Sequence, residues 1–389
     1  MLLKNKLLIN SILTGAVLLG PSIVHADVIF EDNFDNQPDW TSAMYSTDTV
    51  QRATTHTIPE GWFSVRQDPT WSPSKGYPDK HETIEILSSN ADKARGGNGK
   101  SFVSWRDSYN KGWSYWASES ILLKYFPEGY TELYVEFWIS FDPNWTRVAV
   151  PDRPNATSKI FRVSSWSGDG TEYGAFSDGN IGPIALWDHS VNNYGLRNTL
   201  AFRGGPHSDN YKLTATDIPD VGKYLISGSL GDFNLNYSSS LAGMGPNRAE
   251  PIITDRLNGG FITRNTSGVV GHNQIFGPGD SWTKLAFYVK MNSAPGVKDG
   301  VFRQWLNDKQ IFVSTEIPWI RPSETRDENA KWNLVAIGGN DFFQTYPNED
   351  RREEWYSIDD LVIRNDIPDY VDSENVVAPP NPPAGFNVN

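Results

Sequence analysis

Apolar and polar side chains alternate in short runs along this chain, and stretches with a helical repeat of apolar positions are nearly absent. A two-residue alternation sends successive side chains to opposite faces of a strand. On that pattern strands are predicted at VIFEDNF (28–34), SFVSWRD (101–107), ELYVEFWISF (132–141), SKIFRVSSW (158–166) and PIALWDH (183–189). Further strands are predicted at TLAFRGG (199–205), WTKLAFYVKM (282–291), GVFRQWLNDKQIFV (300–313), WNLVAIGG (332–339) and EWYSIDDLVIR (354–364). Clusters of Gly, Pro, Asn and Asp punctuate them, as expected of an all-β, antiparallel β-sandwich. The helix signal is weak, as at Ala91 to Arg95.

The alternation also sorts side chains by face. In ELYVEFWISF, Leu133, Val135, Phe137 and Ile139 form a core set, and Tyr134, Glu136, Trp138 and Ser140 form a polar, aromatic one. In SKIFRVSSW, Ile160, Arg162, Ser164 and Trp166 oppose Lys159, Phe161 and Val163. Trp187 and His189 fall together against Leu186 and Asp188, while Ala201 and Arg203 oppose Leu200 and Phe202. Placed side by side in one sheet, these strands predict a face of Trp, Tyr, His, Arg and Glu. A merely solvated face also alternates apolar and polar positions, but it favours Lys, Glu and Thr. The aromatic enrichment points to a cleft with rings for stacking and a few charges for orientation.

The first 26 residues carry Lys4 and Lys6, a short apolar run and Val24-His25-Ala26 before the first acid, the pattern of a cleaved secretory signal. The mature chain is therefore expected outside the cytoplasm, secreted or periplasmic. Residues 27–370 read as one sandwich domain, with long loops at 41–79 and 206–279 where binding function is expected. The proline-rich residues 371–389 read as a disordered tail or linker. No cysteine is present, so no disulfide framework is expected. A monomer is expected; no membrane insertion is expected either, because no later stretch reaches the roughly 20 apolar residues of a membrane helix.

Charge narrows the partners. The net charge of −13 becomes more negative once the two leader lysines are removed, which disfavours nucleic acid and anionic membranes. It also disfavours a polyanionic glycan unless a cleft locally reverses the sign. The 15 tryptophans, 16 tyrosines and 19 phenylalanines favour stacking on the apolar faces of sugars. There is no P-loop, no dinucleotide fingerprint and no nucleophile elbow. Six scattered histidines disfavour zinc, and no organic cofactor is expected.

The segment GDSWTKLAFYVKMNSAPGVKDGVFRQWLNDKQIF, followed by WNLVAIGGND and EWYSIDDLVI, resembles the β-jelly-roll polysaccharide lyases of the glucuronan lyase and alginate lyase type, with the concanavalin A-like fold. The resemblance extends loosely through YVEFWISFDPNW and SKIFRVSSW. It implies β-elimination on an acidic, uronate-containing polysaccharide. The family's lysine matches Lys159. Its Ser-x-Arg and Tyr-x-Tyr pairs fall on Trp187 with His189 and on Ala201 with Arg203, so its tyrosine pair is absent. Such a reaction needs a cation to neutralise the uronate carboxylate and a base to take the C5 proton. Arg203, Arg162 and Lys159 are the candidate neutralisers, His189 the base, Tyr194 the acid and His81 a secondary histidine. Trp187, Trp138, Tyr134, Glu136, Trp166, Arg197, His207 and Tyr211 are candidate substrate contacts. The resemblance further implies one structural Ca²⁺, for which Glu31, Asp32, Asp359 and Asp360 are candidate ligands, with Asp35 near them. Two alternatives stay open: a non-catalytic carbohydrate-binding or matrix protein on the same scaffold, and a glycoside hydrolase of atypical motif. The Glu-x-Asp-x-x-Glu run of retaining glucanases of this fold is missing; HETIEI (81–86) offers only Glu-x-x-Glu.

Overall fold

Nearly every predicted strand recurs in a pair of stacked antiparallel sheets. The computed structural model describes residues 27–46, 54, 56–67, 71–107, 118–145, 156–168, 181–192, 195–206, 211–223, 233–235, 254–255, 260–261, 271–322, 330–343 and 353–372. In chain order the strands are β1 (Val28–Asp32), β2 (Trp40–Thr41), β3 (Ser64–Gln67), β4 (Ile84–Ile86), β5 (Phe102–Asp107), β6 (Ser118–Tyr130) and β7 (Glu132–Phe141). Next come β8 (Ala156–Trp166), β9 (Ile181–Asn192), β10 (Gly195–Gly204) and the short β11 (Tyr211–Lys212), β12 (Phe233–Leu235), β13 (Thr254–Asp255) and β14 (Gly260–Phe261). The chain closes with β15 (Thr283–Lys290), β16 (Gly300–Leu306), β17 (Lys309–Ile317), β18 (Trp332–Phe343) and β19 (Glu353–Arg364). Among the described residues the α-helix comprises the single turns α1 (His272–Ile275) and α2 (Asp369–Asp372). Among the described residues no helix is long and apolar enough to cross a membrane.

The first sheet runs β17-β16-β15-β7-β19-β5-β4-β2, with β1 also paired to β19. The second runs β11-β10-β9-β8-β18-β6-β3, with β12 also on β10. Between them lies one core. Leu133, Val135, Phe137 and Ile139 come from β7, and Phe161, Val163, Ala185, Trp187, Leu200, Phe202, Val335 and Ile337 come from the second sheet. Phe161 stacks on Phe287 across the sheets at 4.4 Å between ring centroids. Each buried Val, Leu, Ile or Phe side chain among them contributes about 1.5–3 kcal/mol.

Two departures from the sequence expectation have clear causes. The run 300–313 is a hairpin, because Asn307 and Asp308 take left-handed backbone angles (φ 48° and 63°) and turn the chain between β16 and β17. Strand β6 carries apolar residues on both faces. Leu122 enters the central core, while Ile121 and Leu123 pack outward with Trp166, Leu334 and Ala336. A strand buried on both sides loses its alternation.

Candidate functional site

Register separates the predicted binding face into three places. Strand β7 lies in the first sheet, whereas β8, β9 and β10 lie in the second. Tyr134, Glu136 and Trp138 therefore occupy the opposite outer surface of the sandwich from Arg162 and Arg203. Glu136 is engaged there by Tyr134 (2.8 Å), Tyr370 (2.9 Å) and Lys284 (2.9 Å), and the Arg95 guanidinium lies 3.9 Å over the Trp138 ring. Trp187 and His189 occupy the third place, the core between the sheets. Trp187 donates from Nε1 to the Asn198 amide oxygen at 2.8 Å.

His189 is 1% exposed and ringed by Phe141, Trp145 and Phe276. Its Nε2 shares a 3.0 Å hydrogen bond with His272 Nδ1 on α1. Burial, then the neighbouring His272 and Arg106, pull its pKa well below the ordinary histidine value. The ring is buried and neutral, beneath the sheet surface on which a substrate would lie, which corrects its expected place as a surface base. Close by, Arg106 and Glu354 form a buried ion pair at 2.7 Å, and Arg106 also donates to Ser158 Oγ at 2.7 Å and stacks over Trp145 at 3.4 Å.

On the outer face of the second sheet, the register sets residues in rows. Lys159, Asp188 and Thr199 are directly opposite one another across β8, β9 and β10; Arg162, Leu186 and Ala201 form the next row, and Ser164, Ile184 and Arg203 the one after. Lys159 joins this face through a β-bulge between Lys159 and Phe161, which breaks the simple alternation and turns Ile160 into the core. On the other side of Arg162 comes Ala336 of β18, then β6 and β3, where Arg66 pairs with Glu119 at 2.9 Å. Arg197 and Lys212 extend the same surface along β10 and β11, Lys212 opposite Arg203. Among the described residues this face thus presents five cations, Arg66, Lys159, Arg162, Arg203 and Lys212, with Arg197 buried on the same side (3% exposed), against Glu119 and the buried Asp188. That reverses the sign of a chain with net charge −13.

Arg162 sits at the centre. Burial and the nearby Arg66 guanidinium pull its pKa down to about 10, against the opposing pull of Asp188 and Glu119. Two guanidinium groups close enough to repel, partly shielded from water, favour an incoming carboxylate. The floor beside them is low, with Ala201, Ala336 and Gly339; at Gly339 a Cβ would collide with the Lys159 carbonyl. Arg66 and Lys212 were not singled out from sequence, since each lies on a strand too short for alternation to show.

The remaining predicted residues lie elsewhere. Trp166 is on the outer face but buried against Phe63 and Tyr125, at 5.8 and 5.1 Å between centroids, so its ring braces the sheet and offers no open stacking surface. Tyr211 packs at the sheet edge, against Gly204 and 3.7 Å beneath the Arg321 guanidinium. His81 lies on the first sheet's side, stacked on Trp105 at 3.7 Å and bonded to Glu353 at 2.9 Å. Burial works against its charge, but Glu353 and Glu85 outweigh it and hold its pKa above the ordinary value. Tyr194 and His207 fall outside the described residues.

The candidate calcium ligands do not converge. Asp32 accepts from Phe34 N–H, Gln37 and Trp62, and Glu31 is exposed. Asp359 accepts the backbone N–H groups of Arg95 and Asp360, while Asp360 pairs with Arg95. Among the described residues no group of three His, Asp or Glu side chains is gathered to hold an ion. Among the described residues, the side chains present do not fit a metal centre.

No family model matches the chain, and no curated protein matches it. Among solved structures, it is similar to a variant of alginate lyase Aly36B in complex with an alginate trisaccharide (13% identity, TM-score 0.39, covering 78% of this chain and 98% of that one). It is also similar to the PL-14 alginate lyase from Aplysia kurodai (10% identity, TM-score 0.39, covering 72% and 86%). A third is LamA from Zobellia galactanivorans in complex with laminaritriose and laminaritetraose (9% identity, TM-score 0.40, covering 88% and 100%).

Proposed function

We propose that this protein is exported and acts on an acidic polysaccharide, binding it across the outer face of the second sheet and cleaving it by β-elimination. The supporting observation is the local reversal of charge on that face, centred on Arg162. In this reading Arg162, with Arg66 beside it, pairs with a uronate carboxylate and makes the adjacent C5 proton more acidic. Arg203 and Lys212 engage the carboxylate of a neighbouring unit along the chain. Lys159, on the same strand and face, handles the proton: it leaves C5, the C4–O bond breaks, and the departing oxygen takes a proton. Incubation of the protein with a panel of uronate polysaccharides tests this. The expected result is growth of the ultraviolet absorbance of unsaturated chain ends with at least one polymer; no growth with any polymer refutes turnover.

A second reading, a glycan-binding protein without turnover, is favoured by one observation: His189, the expected base, is buried in the core. Binding of a uronate polymer without any absorbance change supports that reading over the first.

A further inference from the structure

All three described tryptophans that keep part of their surface in water, Trp138, Trp282 and Trp355, lie on the outer face of the first sheet, away from the cationic face. Trp138 is covered by Arg95. The other two belong to one cleft of about 260 Å³, lined also by Asp92, Lys93, Asp280 and Ser140. Register explains the arrangement. Trp282 immediately precedes β15, whose Thr283 faces Ile139, so Trp282 falls beside Ser140; Ser140 in turn faces Ser357, two residues from Trp355. The floor is therefore the small Ser140, between two indoles.

The lip of this cleft is fixed in place. The Lys93 carbonyl accepts from Ser101 Oγ (3.1 Å) and Ser357 Oγ (2.7 Å), and Arg95 N–H donates to Asp359 at 2.8 Å. The Lys93 ammonium lies 5.5 Å from the Trp355 ring centre and 5.6 Å from that of Trp105, and pairs with Asp92 at 3.0 Å. On the other wall Asp280 holds a left-handed backbone angle, φ 71°, uncommon for a residue with a side chain. A rigid rim of this kind needs no reordering to bind.

We infer that this cleft is a second carbohydrate site, distinct from the cationic face, and that it takes a single neutral hexopyranose unit of a glycan. Two aromatic walls match the apolar faces of a pyranose ring, and the volume is below the usual range for a drug-sized ligand. With Lys93 neutralised by Asp92, Asp280 leaves the rim acidic. Carboxylates accept hydrogen bonds from sugar hydroxyls and repel a uronate. The two outer faces of the sandwich therefore select opposite chemistries, an acidic chain on one and a neutral sugar on the other. This inference does not depend on turnover at the cationic face.

Titration of the full-length protein with neutral gluco- and manno-oligosaccharides, followed by tryptophan fluorescence and by calorimetry, tests it, with a uronate oligosaccharide in parallel. The expected result is saturable binding of a neutral oligosaccharide that weakens about tenfold or more in Trp282→Ala and in Trp355→Ala, the usual consequence of truncating a central aromatic anchor. Asp92→Asn, at an exposed side chain, guards against misfolding as the cause; it weakens binding severalfold with an unchanged melting temperature. Uronate binding persists in all three variants if it resides on the other face. Absence of binding to every neutral oligosaccharide overturns the inference, as does binding that all three variants leave intact. Loss of uronate binding on changing Trp282 or Trp355 overturns the separation of the two sites.

Discussion

Replacing His189 by alanine distinguishes a structural histidine from a catalytic one. The ring is 1% exposed and lies 5.1 Å from Phe141, 5.5 Å from Phe276 and 5.9 Å from Trp145 between centroids. Deleting it removes transfer energy and leaves a cavity, about 3 kcal/mol, and losing the 3.0 Å bond to His272 adds about 1 kcal/mol. The expected cost is about 3–4 kcal/mol, read by urea unfolding, with a fall in melting temperature on the order of 5–10 °C. Polysaccharide turnover per folded molecule should be unchanged. His189→Phe keeps most of the packing and isolates the titration. The folded state holds His189 neutral, whereas the unfolded chain takes up a proton below its ordinary value of 6.5. The stability this group contributes is present above pH 6.5 and lost as pH falls, by up to about 1.4 kcal/mol per pH unit. Wild type should lose more stability between pH 6.5 and pH 5 than His189→Phe does. A His189→Ala protein of wild-type stability that has lost its turnover refutes this placement of the ring.

Other expectations follow from the same contacts. Breaking the buried Arg106–Glu354 pair by Arg106→Met should cost about 3–5 kcal/mol, since it strands a buried carboxylate, and the double change with Glu354→Met should recover most of it in chemical denaturation. Asp359 is raised to about 7 by burial, so the fold favours its neutral form. Its contribution is full below the unfolded value of 3.8 and is lost as pH rises through about 7, so wild type should weaken relative to Asp359→Asn across that window in parallel thermal melts. Arg66→Gln removes the repulsion on Arg162 and half of the guanidinium pair; it should weaken uronate binding severalfold in calorimetry while leaving neutral-sugar binding intact.

Alternation along the chain was sufficient for most strands and for the sandwich, because β7, β15, β18 and β19 each bury one face in a single core. It does not say which sheet a strand joins. An antiparallel sandwich passes its strands between layers, so Tyr134, Glu136 and Trp138 in β7 alternate like β9 yet face the other way out of the molecule. Nor does it say which set faces inward when both sets are mixed. Trp187 with His189, and Leu186 with Asp188, balance an aromatic and a polar residue against an apolar and a charged one. Inside, Asn198 and His272 satisfy the polar atoms of Trp187 and His189, which the sequence pattern places in a substrate cleft. The bulge that brings Lys159 beside Arg162 depends on Gly338 and Gly339 in the neighbouring strand, a pairing invisible in the linear pattern. Tryptophan count was a partial guide. Of the thirteen described tryptophans ten are buried, and the three part-exposed ones, Trp138 among them, lie on the outer face of the first sheet, away from the cationic face.

The central claim is that an acidic glycan is read by the cationic outer face of the second sheet. It is tested most directly by comparing Arg162→Gln with wild type on the uronate polymer that gives the strongest response in the polysaccharide panel, following binding by calorimetry and unsaturated ends by absorbance. The account predicts that Arg162→Gln folds with wild-type stability, weakens binding about tenfold or more and abolishes most of the absorbance change, whereas Trp282→Ala leaves both as in wild type. Undiminished binding and turnover in Arg162→Gln would contradict it.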